Sequence, residues 1–200
     1  MATSFLCASA LMLAAAAAQL PPPSEQPGPL DLYPPNIEGK LPMAVDHFRY
    51  RLPIDNFGLR YLGTDIFASA GARSPVFLYC GNEGAAEDFY NASGGIFEAA
   101  QEHGAFVLFV EHRYYGDSLP HGNASFTNDN LVYLTIEQAL VDLAEAIRAL
   151  PTLLGCRGTV GPARGFCDVV LWGGASSPHV CPEERPEERT PAAVRVVQLP

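Results

Sequence analysis

Three short, uninterrupted apolar runs constrain the fold of this chain more than any other feature. They occupy residues 76–80, 106–110 and 169–172. Four or five apolar residues without alternation are typical of a strand that is buried on both faces of a sheet. Helical patterns lie between the runs, and this alternation indicates a parallel sheet with helices on both faces. The sequence therefore predicts an α/β domain whose ligand site lies beyond the carboxyl ends of these strands.

Two helical patterns separate the apolar runs. The shorter one covers residues 96–103 and is expected to stop at Gly104. The longer one begins at Thr135, with Gln138 at the spacing of a capping box, and Pro151 is predicted to end it. Apolar residues recur along it at steps of four and three, which predicts a face packed on the sheet: Ile136, Leu140, Leu143, Ile147 and Leu150. The polar face is expected to carry Glu137, Asp142, Glu145 and Arg148.

The first 42 residues are not expected to belong to this domain. An apolar, uncharged segment ends in small residues near Ala18 and predicts a secretory signal peptide over residues 1–18. Prolines then crowd the chain, so residues 19–42 are predicted to be an extended tether. Ordered structure is predicted to begin near Met43.

Two strands are predicted at the start of the ordered part. Residues 45–51 and 60–67 alternate loosely between apolar and polar types, and a turn-prone sequence at 55–58 lies between them. This arrangement is typical of two strands joined by a turn.

Export would allow two sequons to be glycosylated and cysteines to form disulfides. Asn91 and Asn123 each begin an N-x-Ser tripeptide without proline and are the predicted glycosylation sites. Four cysteines follow the signal peptide, namely Cys80, Cys156, Cys167 and Cys181. Cys156 and Cys167 flank a glycine-rich loop and can close a short disulfide in an oxidising compartment, but the sequence leaves the pairing open. No cysteine or histidine spacing suggests a metal site.

The net charge excludes one class of partner. Lys and Arg number 12 and Asp and Glu number 22, which gives a formal charge of −10 at pH 7. A nucleic-acid binder needs a basic surface to displace counterions from phosphate, so no nucleic acid is expected. No second apolar stretch is long enough to cross a bilayer, so the mature chain is predicted to have no membrane span. The acidic balance and the leader predict a location in the secretory pathway, in a lysosome or vacuole, or outside the cell.

Three strings carry a family resemblance. They read Tyr79-Cys80-Gly81-Asn82-Glu83-Gly84, Glu111-His112-Arg113-Tyr114-Tyr115-Gly116 and Tyr133-Leu134-Thr135-Ile136-Glu137-Gln138-Ala139-Leu140. In order and spacing they resemble the family of lysosomal Pro-X carboxypeptidase and dipeptidyl peptidase II, over roughly residues 46–174. The resemblance implies an α/β-hydrolase sheet with an inserted helical domain, a Ser-Asp-His triad and cleavage of peptides next to proline. It implies no organic or metal cofactor.

The resemblance also suggests roles for residues at the strand ends. In an α/β-hydrolase, the loop after the third core strand donates one oxyanion amide, and the residue after the nucleophile donates the other. The first of these loops matches Gly81 and Asn82, which are therefore the oxyanion candidates. Glu83 is a candidate for substrate contact, with loop bracing as its alternative role. Arg113 and Tyr114 are expected to brace their loop and to take no part in the chemistry.

The resemblance breaks after Gly174. The family's nucleophile elbow reads Gly-Gly-Ser-Tyr-Gly-Gly, whereas this chain has Ala175 where the serine belongs. Ser176 stands one position later, but Pro178 fills the space that the elbow keeps for a very small residue. The triad Asp and His of the family lie further downstream, and none of the five histidines matches that position. The chain is therefore predicted to be catalytically incompetent.

Residues 175–200 are predicted to be a disordered tail rich in Pro, Glu and Arg. Residues 43–174 then form the amino-terminal part of an α/β-hydrolase-type domain, truncated after the strand that should lead into the nucleophile elbow. Truncation would leave that strand with an open edge, which predicts poor solubility. A splice isoform and a gene-model error remain alternative origins of the tail.

Three functions follow from these observations. The first is the amino-terminal portion of an exported serine exopeptidase for proline-containing peptides, inactive as this chain. The second is a non-catalytic secreted glycoprotein that uses the same half-fold for binding. The third is an unrelated lipase-like hydrolase that acts through Ser176. The choice between carboxypeptidase and dipeptidyl peptidase and the formation of a family-type dimer are left open.

Overall fold

The computed structural model of the chain describes residues 27–49, 55–158 and 167–173, together with the backbone of residues 194–196. The strands are β1 Ile37–Ala44, β2 Asn56–Thr64, β3 Val76–Tyr79, β4 Phe106–Val110, β5 Val169–Trp172 and β6 Val194–Val196. The helices are α1 Pro29–Leu32, α2 Ala86–Ala92, α3 Gly94–His103 and α4 Ile136–Leu154. The strands form a six-stranded sheet in the order β1-β2-β4-β3-β5-β6.

The sheet is mixed, with an antiparallel and a parallel half. β1 pairs antiparallel with β2, and β2 pairs antiparallel with β4. β4, β3, β5 and β6 then run parallel to one another. The three apolar runs form the neighbouring strands β4, β3 and β5, and every residue of β3 and β4 is buried. The predicted α/β class is therefore confirmed.

Helices cover both faces of the sheet. On one face, Leu143 and Leu150 of α4 pack in a core with Leu78 of β3 and Leu108 of β4. On the other face, α2 and α3 contribute to an aromatic core whose largest buried side chains are Phe77, Tyr79, Tyr90, Phe97 and Phe109. Full burial of an aromatic or aliphatic side chain of this size contributes about 1.5–3 kcal/mol, so both layers stabilise the sheet substantially.

The two opening strands begin earlier than the sequence pattern predicted. β1 and β2 pair in a register that ends at Ala44 opposite Asn56, where the pattern had placed strands over 45–51 and 60–67. The residues after β1 turn instead, because the Asp46 carboxylate accepts a hydrogen bond from the Phe48 N–H at 3.0 Å and Arg49 has a positive φ of 59°. Alternating apolar residues of this kind do not by themselves fix where a strand starts.

Part of the predicted tether is also ordered. The residues of α1 are helical, and the first six residues of β1 lie within the stretch 19–42 that proline content had assigned to a tether. Pro42 is tolerated because β1 is an edge strand, where a missing amide donor removes no bond to a second neighbour. Residues 1–26, which include the predicted signal peptide, lie outside the described residues.

The helical predictions are confirmed in position but corrected in detail. α3 ends at His103, and Gly104 caps it with a left-handed φ of 63°. Thr135 caps α4 by accepting a hydrogen bond from the Gln138 N–H. Pro151 does not end α4, which continues to Leu154, because a proline in the last turn removes one backbone bond with little helix left to disrupt.

The buried face of α4 differs from the predicted stripe. Ile136 is 50% exposed, whereas Asp142, which was assigned to the polar face, is 3% exposed. Gln138 is buried as well, and its side chain contacts the turn after β1 and does not complete a capping box. A polar residue on the apolar side of a helix needs a buried partner, and the sequence pattern did not indicate where that partner lies.

Two features join the carboxyl-terminal segments to the domain. Cys156 and Cys167 form a disulfide that closes a sequence separation of 11 residues. A loop of about this length gains about 3 kcal/mol from such a bond. β6 pairs with β5, so residues 194–196 of the predicted disordered tail extend the sheet where an open edge was expected. The β-branched Val194 and Val196 suit a strand. The rest of the tail lies outside the described residues.

Within the described ranges, none of the helices has both the length and the apolar character that a membrane crossing requires.

Candidate active site at the carboxyl ends of β3, β4 and β5

The carboxyl ends of the neighbouring strands β3 and β5 lie side by side. Tyr79 and Trp172 are register partners at the ends of these parallel strands. The Cys80 N–H donates to the Trp172 carbonyl at 3.0 Å and extends the pairing by one residue. The loop at Gly81 and Asn82 therefore begins directly beside Gly173. The family resemblance implied an oxyanion loop at this position, next to a nucleophile elbow. Ala175 and Ser176 lie outside the described residues.

Gly81 allows the loop to turn tightly against the end of β4. Its φ is +83°, a left-handed conformation that favours glycine. A Cβ atom at this position would lie 2.8 Å from the Val110 carbonyl oxygen and 3.0 Å from the His112 nitrogen. Both contacts are with backbone, which cannot move aside as a flexible side chain can. Gly81 is therefore required by sterics as well as by conformation.

Asn82 stabilises the loop through its side-chain and backbone oxygens, while its backbone N–H stays available. The Asn82 Oδ1 accepts from the Glu83 N–H at 2.9 Å, and the Asn82 carbonyl accepts from the Gly84 N–H at 3.0 Å. The Asn82 N–H makes no hydrogen bond within the described part of the chain. A fixed loop with an unused amide donor can bind an anion or a developing oxyanion.

Glu83 is exposed at the tip of the same loop. Its carboxylate makes no hydrogen bond to any described residue. The charge of this carboxylate acts on the hydroxyl of Tyr115, which lies in the loop after β4. Burial raises the pKa of Tyr115, and the negative charge of Glu83 raises it further. Glu83 therefore places a negative charge at the mouth of the strand-end loops.

A different carboxylate braces these loops. The buried Glu111, directly after β4, accepts from the Ala86 N–H at 3.1 Å, the Asp117 N–H at 3.0 Å and the Ser118 hydroxyl at 2.7 Å. One of its oxygens also lies 3.8 Å from Arg60 Nη1. Glu111 thus ties the start of α2 to the loop after β4. The sequence showed Glu111 within a family string, but nothing in the pattern identified it as the bracing group.

An ion pair attaches α2 to the sheet from the other side. The Arg60 guanidinium on β2 hydrogen-bonds the Glu87 carboxylate in the first turn of α2. This hydrogen bond raises the pKa of Arg60 and lowers the pKa of Glu87. Both groups therefore stay charged at neutral pH. The loop that carries Gly81 and Asn82 is thus followed by a helix that is fixed at its first turn.

Arg113 is completely buried behind the strand ends. Its Nε donates to Asp142 Oδ2 at 2.6 Å and its Nη2 to Asp142 Oδ1 at 2.9 Å, a bidentate pair. Its remaining donors reach the carbonyls of Ala44 at 3.2 Å and of Val45 and Tyr133 at 3.0 Å. Arg113 therefore connects the turn after β1, the loop after β4 and α4. This agrees with the bracing role that the resemblance implied.

His47 completes this buried cluster. Its Nε2 lies 2.6 Å from Asp142 Oδ1, and its backbone N–H donates to Gln138 Oε1 at 2.9 Å. The Gln138 amide in turn donates to Asp46 Oδ1 at 2.9 Å. A histidine paired with an aspartate is one half of a hydrolase triad, but no hydroxyl in the described residues is hydrogen-bonded to His47. The sequence did not predict this pair, which holds the turn after β1 on α4.

Comparison with known proteins agrees with the string-by-string resemblance. A profile of the serine carboxypeptidase S28 family matches residues 43–158, which is more than half of the chain. The chain belongs to the serine carboxypeptidase S28 family. The suspected family is therefore confirmed, and the matched range contains β2, β3, β4 and α4 together with the loop at Gly81 and Asn82.

Three relatives of this S28 chain show how much of the family it covers. Lysosomal Pro-X carboxypeptidase of Homo sapiens is 44% identical over 107 residues, which are 53% of this chain and 21% of the relative. The Mus musculus protein of the same name is 39% identical over 142 residues, 68% of this chain and 28% of the relative. Prolyl carboxy peptidase like protein 5 of Caenorhabditis elegans is 40% identical over 113 residues, which are 56% of this chain and 22% of the relative. The chain thus spans between 21% and 28% of the length of these relatives.

The described residues of this S28 chain hold no group of three or more His, Cys, Asp or Glu side chains arranged to bind a metal ion. The predicted glycosylation sites lie apart from the strand-end loops. Asn91 is exposed in the last turn of α2, and Asn123 is exposed in a 3-10 turn over Gly122–Ala124.

The steric requirement at Gly81 gives a testable prediction. Gly81→Ala should lower the free energy of unfolding by about 2–5 kcal/mol, since a left-handed alanine costs about 1–2 kcal/mol and overpacking adds about 1–3 kcal/mol. Gly71→Ala is the matched control, because Gly71 has a φ of +56° but nothing within 4 Å of a Cβ. That control should cost only about 1–2 kcal/mol. Urea unfolding followed by Trp172 fluorescence measures both, and equal losses would contradict the close approach to β4.

Proposed function

We propose that this S28 chain is the amino-terminal part of an exported serine exopeptidase that cleaves peptides next to proline. The observation that carries the proposal is the position of the loop at Gly81 and Asn82 beside the carboxyl end of β5. The mixed sheet with helices on both faces is consistent with a hydrolase-like fold. Family membership and the names of the Pro-X carboxypeptidase relatives support the substrate class.

The proposed role of the loop is to stabilise negative charge on the substrate carbonyl. Attack on a peptide carbonyl creates an oxyanion, and backbone N–H groups aimed at it lower the barrier. In this fold one such amide follows β3, and the other follows the nucleophile at the end of β5. The Asn82 N–H, which has no acceptor among the described residues, is the proposed first donor. A single donor of this kind contributes about 2.7–4 kcal/mol to transition-state binding.

The surrounding side chains support this role by fixing the loops. Glu111 holds α2 and the loop after β4 through three hydrogen bonds. Arg113 and Asp142 fix the far side of the loop after β4 to α4. Preorganised donors contribute to catalysis because they need not reorganise as charge develops. Glu83, exposed at the loop tip, is proposed to contact the peptide substrate.

The nucleophile is the part of the site that this chain does not supply. Ala175 stands at the position that the family elbow gives to serine, and alanine has no oxygen to attack a carbonyl. The catalytic activity that we propose therefore belongs to the complete S28 enzyme. In this chain, the loop at Gly81 and Asn82 has no nucleophile to act with, and we propose that the chain is inactive. The alternative is a non-catalytic, secreted glycoprotein that binds a ligand. It rests on the ordered loops after β3 and β4, which can bind a ligand without a nucleophile.

The proposed location follows from the leader and the relatives. The apolar segment ending near Ala18 predicts export, and the human and mouse relatives are named as lysosomal. We therefore propose a lysosomal, vacuolar or extracellular destination. The choice between removal of a carboxyl-terminal residue and removal of a dipeptide stays open.

A chimera tests the proposed function. Residues 43–173 of this chain replace the aligned segment of mouse Lysosomal Pro-X carboxypeptidase, with which the chain shares 142 aligned residues. We expect the purified chimera to release the residue that follows proline from a short peptide, because the transplanted segment supplies a competent oxyanion loop. The control is the same chimera with its nucleophilic serine changed to alanine. A folded chimera that fails to cleave any proline-containing peptide would refute the proposal.

A further inference from the structure

The carboxamide of Asn91 has two roles through neighbouring atoms: its Oδ1 accepts a hydrogen bond from a neighbouring segment, and its Nδ2 is the atom that a glycan would occupy. Asn91-Ala92-Ser93 is a glycosylation sequon, and Asn91 is exposed in the last turn of α2. The same carboxamide also contacts the segment of residues 28–33, which we call the amino-terminal strap. The contacts of this strap determine what a sugar on Asn91 would do.

The strap begins directly on the Asn91 carboxamide. The Leu30 N–H donates to Asn91 Oδ1 at 3.3 Å. A Cβ atom added to Gly28 would lie 2.0 Å from Asn91 Oδ1 and 2.9 Å from its Nδ2. The backbone of Gly28 thus lies against the carboxamide so closely that even a methyl group does not fit between them.

The other end of the strap packs on the aromatic face of the domain. The Tyr90 hydroxyl donates to the Tyr33 carbonyl at 2.7 Å. The Tyr33 ring stacks on Phe97 with centroids 5.5 Å apart and meets the edge of Phe67 at 5.1 Å. The strap is therefore docked on α2 and α3 at both ends, with Asn91 under its first residue.

We propose that Asn91 is a glycan acceptor and that its glycosylation displaces the amino-terminal strap from α2. The chemistry transfers an oligosaccharide from a lipid-linked diphosphate donor. The bond between the sugar C1 and the diphosphate oxygen breaks, a bond between C1 and Asn91 Nδ2 forms, and Nδ2 loses one proton. A sugar on Nδ2 is far larger than the methyl group that the space beside Gly28 already excludes. The docked strap and the glycan are thus alternatives.

Asn123 provides an internal comparison. It lies exposed in a 3-10 turn, and its side chain makes no hydrogen bond among the described residues. A Cβ atom on the neighbouring Gly122 would meet nothing within 4 Å. A glycan at Asn123 therefore has open space around it and leaves the strap in place.

The test compares three secreted proteins that all carry Asn123→Gln, so that Asn91 is the remaining predicted acceptor. The first has no further change, the second carries Ser93→Ala, and the third carries Asn91→Ala. Ser93→Ala removes the sequon but keeps the carboxamide, and the Ser93 side chain makes no capping hydrogen bond. Hydrogen exchange measured by mass spectrometry reports the amides of residues 28–36. Each protein is the full chain expressed in cultured eukaryotic cells.

We expect exchange in residues 28–36 to be at least about tenfold faster in the glycosylated protein and in Asn91→Ala than in Ser93→Ala. Amides of β4 should exchange equally slowly in all three, which shows that the domain is folded. Enzymatic removal of the glycan with conversion of Asn91 to aspartate keeps an Oδ1 acceptor and should restore slow exchange. A glycosylated Asn91 with a protected strap would overturn the proposal, and so would the absence of any glycan on Asn91.

Discussion

The 200-residue chain is expected to hydrolyse proline-containing peptides no faster than buffer alone. The family resemblance predicts that Ala175 stands where the family has its nucleophilic serine, and alanine carries no attacking oxygen. Loss of a single triad member lowers kcat by about 10⁴–10⁶ in serine proteases, and because the uncatalysed cleavage of a peptide bond is very slow, we expect any residual turnover to stay below detection. This is the largest effect that the sequence and the fold predict.

Labelling with a fluorophosphonate, which reacts with an activated serine, checks this expectation directly. The purified chain should show no labelling above that of the heat-denatured protein, and release of products from a proline-containing peptide should match the buffer blank. Ser176→Ala serves as the control. Turnover that disappears in Ser176→Ala would contradict the account and favour the lipase-like hydrolase that acts through Ser176.

Arg113→Met is expected to lower the free energy of unfolding by about 3–5 kcal/mol, because it removes the bidentate cationic partner of the buried Asp142 carboxylate and leaves it only the contact with His47. Asp142 is 3% exposed and receives two hydrogen bonds from Arg113. The substitution also removes the Arg113 N–H groups that donate to the carbonyls of Val45 and Tyr133, and methionine has no donor to replace them. A domain of this size has about 5–15 kcal/mol of stability, so the variant should be barely folded.

Two control variants separate charge from packing at Arg113. Arg113→Met with Asp142→Leu removes both charges and should be more stable than Arg113→Met alone, because no buried charge is left unpaired. Arg148→Met removes an arginine that is 58% exposed and paired with Glu145, and it should change stability by less than about 1 kcal/mol. Urea unfolding measures all three proteins. A loss in Arg113→Met no larger than that in Arg148→Met would show that the buried pair is not structural.

The central strands could be predicted from the sequence because their signal is local. A strand that is buried on both faces needs apolar residues at every position, and β3, β4 and β5 satisfy this requirement in four or five consecutive residues. The carboxyl-terminal end of α3 and the start of α4 were also predictable, since Gly104 and Thr135 act within one turn of their helices. Local rules therefore placed the strand-end loops that carry the candidate site.

Features that depend on distant partners could not be predicted in the same way. Asp142 was assigned to the polar face of α4 because nothing near it in the chain shows that Arg113 is buried opposite. β1 was placed too late, because its start is fixed by pairing with β2 and not by its own alternation. β6 was missed because three residues within a proline-rich tail carry little pattern of their own. In each case the partner lies far along the chain.

The candidate site shows the same division. Gly81 and Asn82 were identified because a family string and a strand end coincide there. The bracing role of Glu111 depends on three donors from Ala86, Asp117 and Ser118, which only the folded loops bring together. The strings therefore pointed to the loops of the candidate site, whereas the structure identified the groups that hold those loops in place.

The central claim is that the loop at Gly81 and Asn82 supplies an oxyanion amide to an S28 active site. The most direct test is the kcat of the mouse chimera with and without Gly81→Ala, measured on a proline-containing peptide. We expect kcat to fall by about 10²–10³ while KM changes little, because the displaced amide acts on the transition state and not on the bound substrate. A folded Gly81→Ala chimera that keeps the kcat of its parent would contradict the claim.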